Sequence, residues 1–399
     1  MYNFAIKFAI TTSKHVNEPR LAFIGKSWQF KRPIKTFKIR TFNFGMTKEL
    51  TREEYYKALE KAVNEVILSM TGTRKDVAKR LVLGAVVGRN ATEIAQEAEM
   101  DYETVLNNLD KAAQAKLIEV VKKLVGDHPV LLIVDDTHDH KLYARAMPVS
   151  RNGAQIFYCR SHKRFEPAIQ LLVIGVKDLV NNQIYVIHII AYIPRKVEEE
   201  LKRRGEEVKF KTKIDALLEF LSSLSGLNVK AKVFDSWYVN SRTLQGNTVG
   251  ELKSSARVVE GGRSVPVSEF PQGEYLVEYL GTPIKLLVID DYKGYGRRYF
   301  FSTDLNDTAE DIITTWENRW DIEVLIRELK ALGLEGGSFL TWVRNSGFVA
   351  LKALSLLVVQ YFKYSTGLVL GAKRLARLIK SIYHEVGGIK KLFKRRRKP

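Results

Sequence analysis

Val130-Leu131-Leu132-Ile133-Val134-Asp135-Asp136-Thr137 is an apolar run that stops on two carboxylates. A run this short, rich in branched residues and bounded by polar ones, reads as a buried strand. Its acids then stand where the chain leaves the sheet. The pattern recurs at Val229–Phe234, which is followed by Asp235. Ala168–Val176 and Ile184–Ile193 are further apolar runs, and Ile214, Leu217, Leu218 and Leu221 between them and Val229 recur at helical spacing. Three strands, a helix and another strand make an α/β core.

A third acidic element lies downstream in Trp316-x-x-Arg319-x-x-x-Glu323-x6-Lys330. At about 100° per residue, Trp316, Arg319, Glu323 and Lys330 share one narrow helix face beside an apolar stripe of Ile322, Leu325, Ile326 and Leu329. Glu323 is thereby expected at the border of the core, with Glu317, Asp321 and Glu328 pointing elsewhere. Strand alternation sends Asp135 and Asp136 in opposite directions, so only one faces a shared site, and Asp136 is taken as that residue. Either Asp alone reads equally well as a turn or cap residue, and Arg319 with Glu323 as an i,i+4 surface pair. Neither of those readings accounts for all three carboxylates together. Phosphodiester chemistry does: two metal ions about 4 Å apart activate the nucleophile and steady the leaving oxygen, and hard Mg2+ prefers carboxylate oxygen.

The charge balance points the same way. The 399 residues carry 64 Lys and Arg against 45 Asp and Glu, a formal net charge of +19, which calls for a polyanionic partner, nucleic acid first. Cys159 is the single cysteine, so an intramolecular disulfide or a cysteine-based zinc finger is excluded. His138 and His140 follow the first acidic pair on one strand face; with no further ligand cluster evident, they read as surface or DNA-proximal histidines and Cys159 as structural. The apolar stretches, such as Ala353–Phe362, are too short to span a bilayer. A cytoplasmic, nucleoid-associated protein is expected.

Along the chain, residues 1–45 hold nine Lys and Arg against Glu18 alone. They read either as a basic arm or as sequence upstream of a start at Met46, after which Thr51-Arg52-Glu53-Glu54 makes a capping box. Residues 46–126 read as a helical DNA-binding domain. Within it Ala91–Ala98 and Tyr102–Ala113 fit a helix-turn-helix or an ordinary helical hairpin. The core is expected over 127–249 and again over 306–345, with a Gly- and Pro-containing β-rich insertion at 250–305. A helical region at 346–389 and a basic tail at 390–399, carrying seven Lys and Arg, complete the chain.

Val-Asp-Asp-Thr at 134–137, Val-Phe-Asp-Ser-Trp-Tyr at 233–238, Tyr-Phe-Phe-Ser-Thr-Asp-Leu at 299–305 and Arg-Trp-Asp-Ile-Glu at 319–323 resemble the DDE transposases of bacterial and archaeal insertion sequences. The likeness is to the group whose core is interrupted by a β-rich insertion and whose signature is Tyr-x-x-Arg-x-x-x-Glu-x6-Lys. The resemblance implies an RNase H-like core in which Asp136, Asp235 and Glu323 bind two Mg2+ ions, with Mn2+ as a substitute. It also implies that Arg319 and Lys330 contact DNA phosphates near the cut. Trp316 stands where the signature has Tyr; an indole stacks but lacks the phenolic hydroxyl. Trp316 and Trp320 are candidates for stacking on distorted DNA, and Lys394, Arg395, Arg396 and Arg397 of the tail for phosphate contacts. The partners implied are double-stranded element ends and target DNA, bound by a synaptic homodimer. The expected activity is binding of terminal inverted repeats, cleavage of the ends and joining of 3′-hydroxyls to target DNA. A nuclease without strand transfer and a non-catalytic DNA-binding remnant are the alternatives.

Overall fold

A computed structural model describes residues 50–141, 154–159 and 162–385. The leader (1–45) and the basic tail with Lys394, Arg395, Arg396 and Arg397 lie outside the described residues. Five helices come first: α1 (Arg52–Ile67), α2 (Lys75–Val87), α3 (Ala91–Glu97), α4 (Tyr102–Ala112) and α5 (Leu117–Val125). Thr51 and Glu54 make the expected capping box on α1. Their buried faces close on a late helix, α10 (Trp342–Thr366), which packs against α1, α2 and α4.

That closure is tight because small residues occupy the crossing. A Cβ on Gly347 of α10 would lie 2.0 Å from the Leu109 carbonyl oxygen of α4, so only glycine allows the two backbones to approach this closely. Lys352, fully buried on α10, donates to the carbonyls of Ala85 and Gly88 at the end of α2. α10 is long and apolar enough to cross a membrane, against the sequence expectation, but 78% of that stretch is buried by the protein. A core helix has the same composition.

The sheet is built around β1 (Pro129–His140). β3 (Arg164–Asp178) runs antiparallel along one side of it, and β5 (Asn228–Phe234) runs parallel along the other. Beyond β3 lie β4 (Gln183–Ala191) and β2 (Gln155–Cys159), both antiparallel to it. Beyond β5 lies β6 (Thr248–Leu252), also parallel. The parallel connection from β4 to β5 carries α6 (Arg195–Arg203) and α7 (Lys213–Ser223). β2 is absent from the sequence expectation, because Gln155–Cys159 shows no alternation of apolar and polar residues and buries only Cys159 fully.

The segment after β6 extends the same sheet. β7 (Arg257–Glu260), β8 (Arg263–Pro266), β9 (Gly273–Tyr279) and β10 (Thr282–Ile289) lead to β11 (Arg298–Ser302), which returns antiparallel beside β6. Their own core includes Val258, Phe270, Ile284, Leu286 and Phe301.

Between Thr308 and Ala331 the chain makes two helices rather than the single one expected. α8 (Ala309–Glu317) ends, and α9 (Trp320–Ala331) starts after a tight turn in which Asp321 and Ile322 donate to carbonyls three residues back. α11 (Ala372–Glu385) follows α10. α9 seats against β1, β3 and β4, over Gly175, where any Cβ would strike Ile322 and Leu325.

Candidate active site

Pairing register decides which side chains meet. Gly175 on β3 faces α9, and so does Lys177, whose ammonium holds Asp321 of α9 at 2.5 Å. Gly175 pairs with Ile133, and side chains of paired residues stand on the same face while neighbours alternate. Ile133 therefore faces α9, and two residues on so does Asp135. On the other side of β1 the pairs end at Val134 with Phe234, so the next residues, Asp135 and Asp235, stand side by side where β5 stops, while β1 runs on beside β3 to His140 instead of ending at its acids as the sequence suggested. One strand further, Phe234 pairs with Gly250, which brings Glu251 into the same row.

Asp136 faces away from this row. Its carboxylate accepts from the buried Lys213 ammonium of α7 at 2.6 Å and from the buried Tyr238 hydroxyl at 2.5 Å. Lys213 also lies over the Trp237 ring, 4.6 Å from its centroid. The sequence expectation chose between the two carboxylates, and the strand's alternation puts Asp136 on the α7 face, not beneath α9.

Above the row, Arg319 sits at the turn between α8 and α9. Its guanidinium is 3.1 Å from Glu323 and 3.8 Å from Asp135, and it lies over the Trp316 ring at 5.3 Å. Trp316 is buried against Phe300, so it supports Arg319 from below and is not free to stack on a base. Trp320 is exposed. Lys330, at the far end of α9, pairs with Glu335 at 3.0 Å. The other acids have separate partners: Glu317 takes Tyr292 and Lys293, and Glu328 accepts from the Ala372 amide.

The electrostatics follow from this crowding. Burial pushes the Asp135 carboxyl up to about 6; the charges of Asp136 and Asp235 add to that, while the Asp136 amide and Arg319 oppose it. Burial also raises Glu251, with Asp235 adding to the shift and Arg298 opposing it; the Arg298 guanidinium stands 3.0 Å from that carboxylate. Burial, then the Asp136 carboxylate, raises the Tyr238 phenol. Two buried carboxylates that resist ionisation, Asp135 and Glu251, in one row with Asp235 and with an arginine lodged between Asp135 and Glu323, make a place where a cation is stabilising. All the side chains in the row are hard oxygen donors, which suits Mg2+.

Glu251 and Lys213 had no part in the sequence expectation, and Tyr238 entered it only within the motif at 233–238. A second group of potential ligands lies elsewhere: the ligand atoms of His140, Cys159, His162 and Glu166 all fall within 4.8 Å of one another, the one group of three or more such residues to do so among the described residues. His140 and Cys159 are thus neighbours, not the separate surface and structural residues expected.

Glu103, Asp110 and Lys111 of α4 are exposed, and Arg344 of α10 approaches Glu103 at 3.7 Å.

No curated protein matches the sequence. A family model described as archaeal putative transposase ISC1217 matches residues 46–371, which takes in every strand, α9 with Glu323, and all of α10. The chain belongs to that family of DDE transposases of insertion sequences.

Proposed function

We propose that this transposase binds the terminal inverted repeats of its element, cleaves the ends and joins the 3′-hydroxyls to target DNA. The reading assigns an RNase H-like core to β4, β3, β1, β5 and β6, since an antiparallel trio followed by two strands parallel to β1 is the order it requires. Asp135, Asp235 and Glu323 are the carboxylates of the site, and Asp136 is an anchor that ties β1 to α7. The observation that carries this is the shared face: Asp135 and Asp235 stand side by side where the β1–β5 pairing ends, and Arg319 links Asp135 to Glu323 of α9.

When bound, Mg2+ supplies an activated water or hydroxyl and a positive charge for the leaving oxygen. The chain's own residues do the rest. Asp135, Asp235 and Glu323 would hold the ions, and Arg319, propped on Trp316, would turn from these carboxylates to a non-bridging phosphate oxygen. Exposed Trp320 lies next to it for a base or sugar. Lys330 contributes a phosphate contact further along the backbone. Two copies holding two ends fit the need for synapsis, and the net charge of +19 draws both ends in by long-range attraction.

The test is Mg2+-dependent nicking of a duplex bearing the element's own end. Asp135→Asn, Asp235→Asn and Glu323→Gln should each lose cleavage by several orders of magnitude while still binding the duplex, because members of one unit fail together. Asp136→Asn should keep measurable cleavage. Normal cutting by Asp135→Asn alongside a dead Asp136→Asn would reverse the assignment.

A further inference from the structure

We infer that His140, Cys159, His162 and Glu166 form a second metal site, selective for Zn2+ or a similar borderline-soft ion, that clamps the β2–β3 hairpin to the end of β1. Four donors come from three places: His140 from the last residue of β1, Cys159 from the last of β2, His162 from the connecting turn and Glu166 from the start of β3. Register explains the meeting. Cys159 pairs with Arg164, and His140 pairs with Ala168, so Cys159, Glu166 and His140 fall on one face of three adjacent strands, with the methyl of Ala168 leaving room between.

The distances suit one ion. Ligands of a tetrahedral zinc at about 2.0–2.3 Å stand roughly 3.3–3.7 Å from one another. Here Cys159 Sγ is 3.4 Å from His162 Nδ1, and His140 Nε2 is 3.7 Å from Glu166 Oε2. His162 Nδ1 and Glu166 Oε2 are closer, at 2.7 Å, a hydrogen bond that an ion would open. Glu166 and Cys159 are buried, while His162 is half-exposed and gives a way in.

A second observation is independent of the four. His140 Nδ1 is held by the Glu335 carboxylate at 2.8 Å, which turns Nε2 toward the cluster. A carboxylate on the far nitrogen is the usual outer partner of a metal-binding histidine. Arg164 likewise donates to the outer oxygen of Glu166 at 2.5 Å, while the other oxygen faces His162 and His140. A thiolate, two imidazoles and one carboxylate oxygen favour zinc over Mg2+. Because Glu335 also pairs with Lys330 of α9, the ion would brace the outer strands against the helix that carries Glu323.

The experiment is metal analysis of the full-length protein after dialysis against a weak chelator. It is followed by Co2+ substitution, which reports a thiolate ligand by a charge-transfer band. One Zn2+ per chain, a thiolate–Co2+ band abolished in Cys159→Ser, and loss of the bound ion in His162→Ala are expected. Glu335→Gln should weaken zinc binding by about 10–100-fold, and Glu323→Gln should leave the zinc content unchanged. If Cys159→Ser does not fold, the half-exposed His162→Ala decides alone. Wild-type protein without zinc, or zinc retained at full occupancy in His162→Ala, overturns the inference. So does loss of zinc in Glu323→Gln with retention in Cys159→Ser.

Discussion

Two adjacent aspartates on one strand live in opposite environments, and replacing them should shift stability in opposite directions. Asp136 is tied to buried Lys213 and Tyr238, so Asp136→Asn leaves a buried ammonium without its counter-charge and should cost about 1–3 kcal/mol. Asp135 is the reverse case. Its folded value near 6 lies above the ordinary 3.8, so its contribution to stability is full below pH 3.8 and is lost as pH rises through 6. Metal-free Asp135→Asn should therefore unfold at a higher temperature than wild type at pH 7.5, with the gain shrinking at pH 5. Thermal melts in chelator at the two pH values check both halves, and an Asp135→Asn protein that is less stable at pH 7.5 would contradict the burial argument. The sequence announced a carboxylate after this apolar run and took Asp136, whereas the proposed site uses Asp135, because alternation relates two neighbours without saying which face α9 covers. Gly175, the small residue under Ile322 and Leu325, was the missing clue, and it lies forty residues away.

At the scale of elements, periodicity was a good guide where an element buries one face. The strands at Val130–Val134, Ala168–Val176 and Val229–Phe234 and the helix over Ile214–Leu221 all appear, each longer than its apolar run. It failed where geometry is set by neighbours. β2 is an edge strand with Ile156 and Tyr158 exposed, so it carries no buried pattern, and with it the Cys159 cluster stayed hidden. The break between α8 and α9 was equally illegible, since Asn318 and Arg319 keep helical angles and only the hydrogen bonding tightens. The α4–α10 crossing offers the sharpest test of how two elements meet. Gly347→Ala introduces a methyl where the Leu109 carbonyl already sits, and overpacking of this kind costs about 1–3 kcal/mol. A lowered midpoint in urea with an unchanged slope is expected; no change would mean that the two helices can part freely.

For the whole molecule, an excess of 19 positive charges predicts affinity for any duplex and a strong dependence on salt. With about 6–10 phosphates engaged, binding should fall roughly 10³–10⁵-fold between 50 and 200 mM salt. Removing residues 390–399 should flatten the slope of log K against log salt by up to about one for each phosphate the tail had neutralised, as measured by titration of a labelled duplex; an unchanged slope would exclude the tail from the interface. The closure of α1, α2 and α4 around α10 carries a different lesson. The opening and closing thirds of the gene encode opposite walls of one apolar core. A copy of the element interrupted by a stop codon or frameshift before α10 would make helices with nothing to fold against, and proteolysis would clear the product. Truncation of this kind is therefore expected to leave no folded helical fragment behind to act as a soluble repressor.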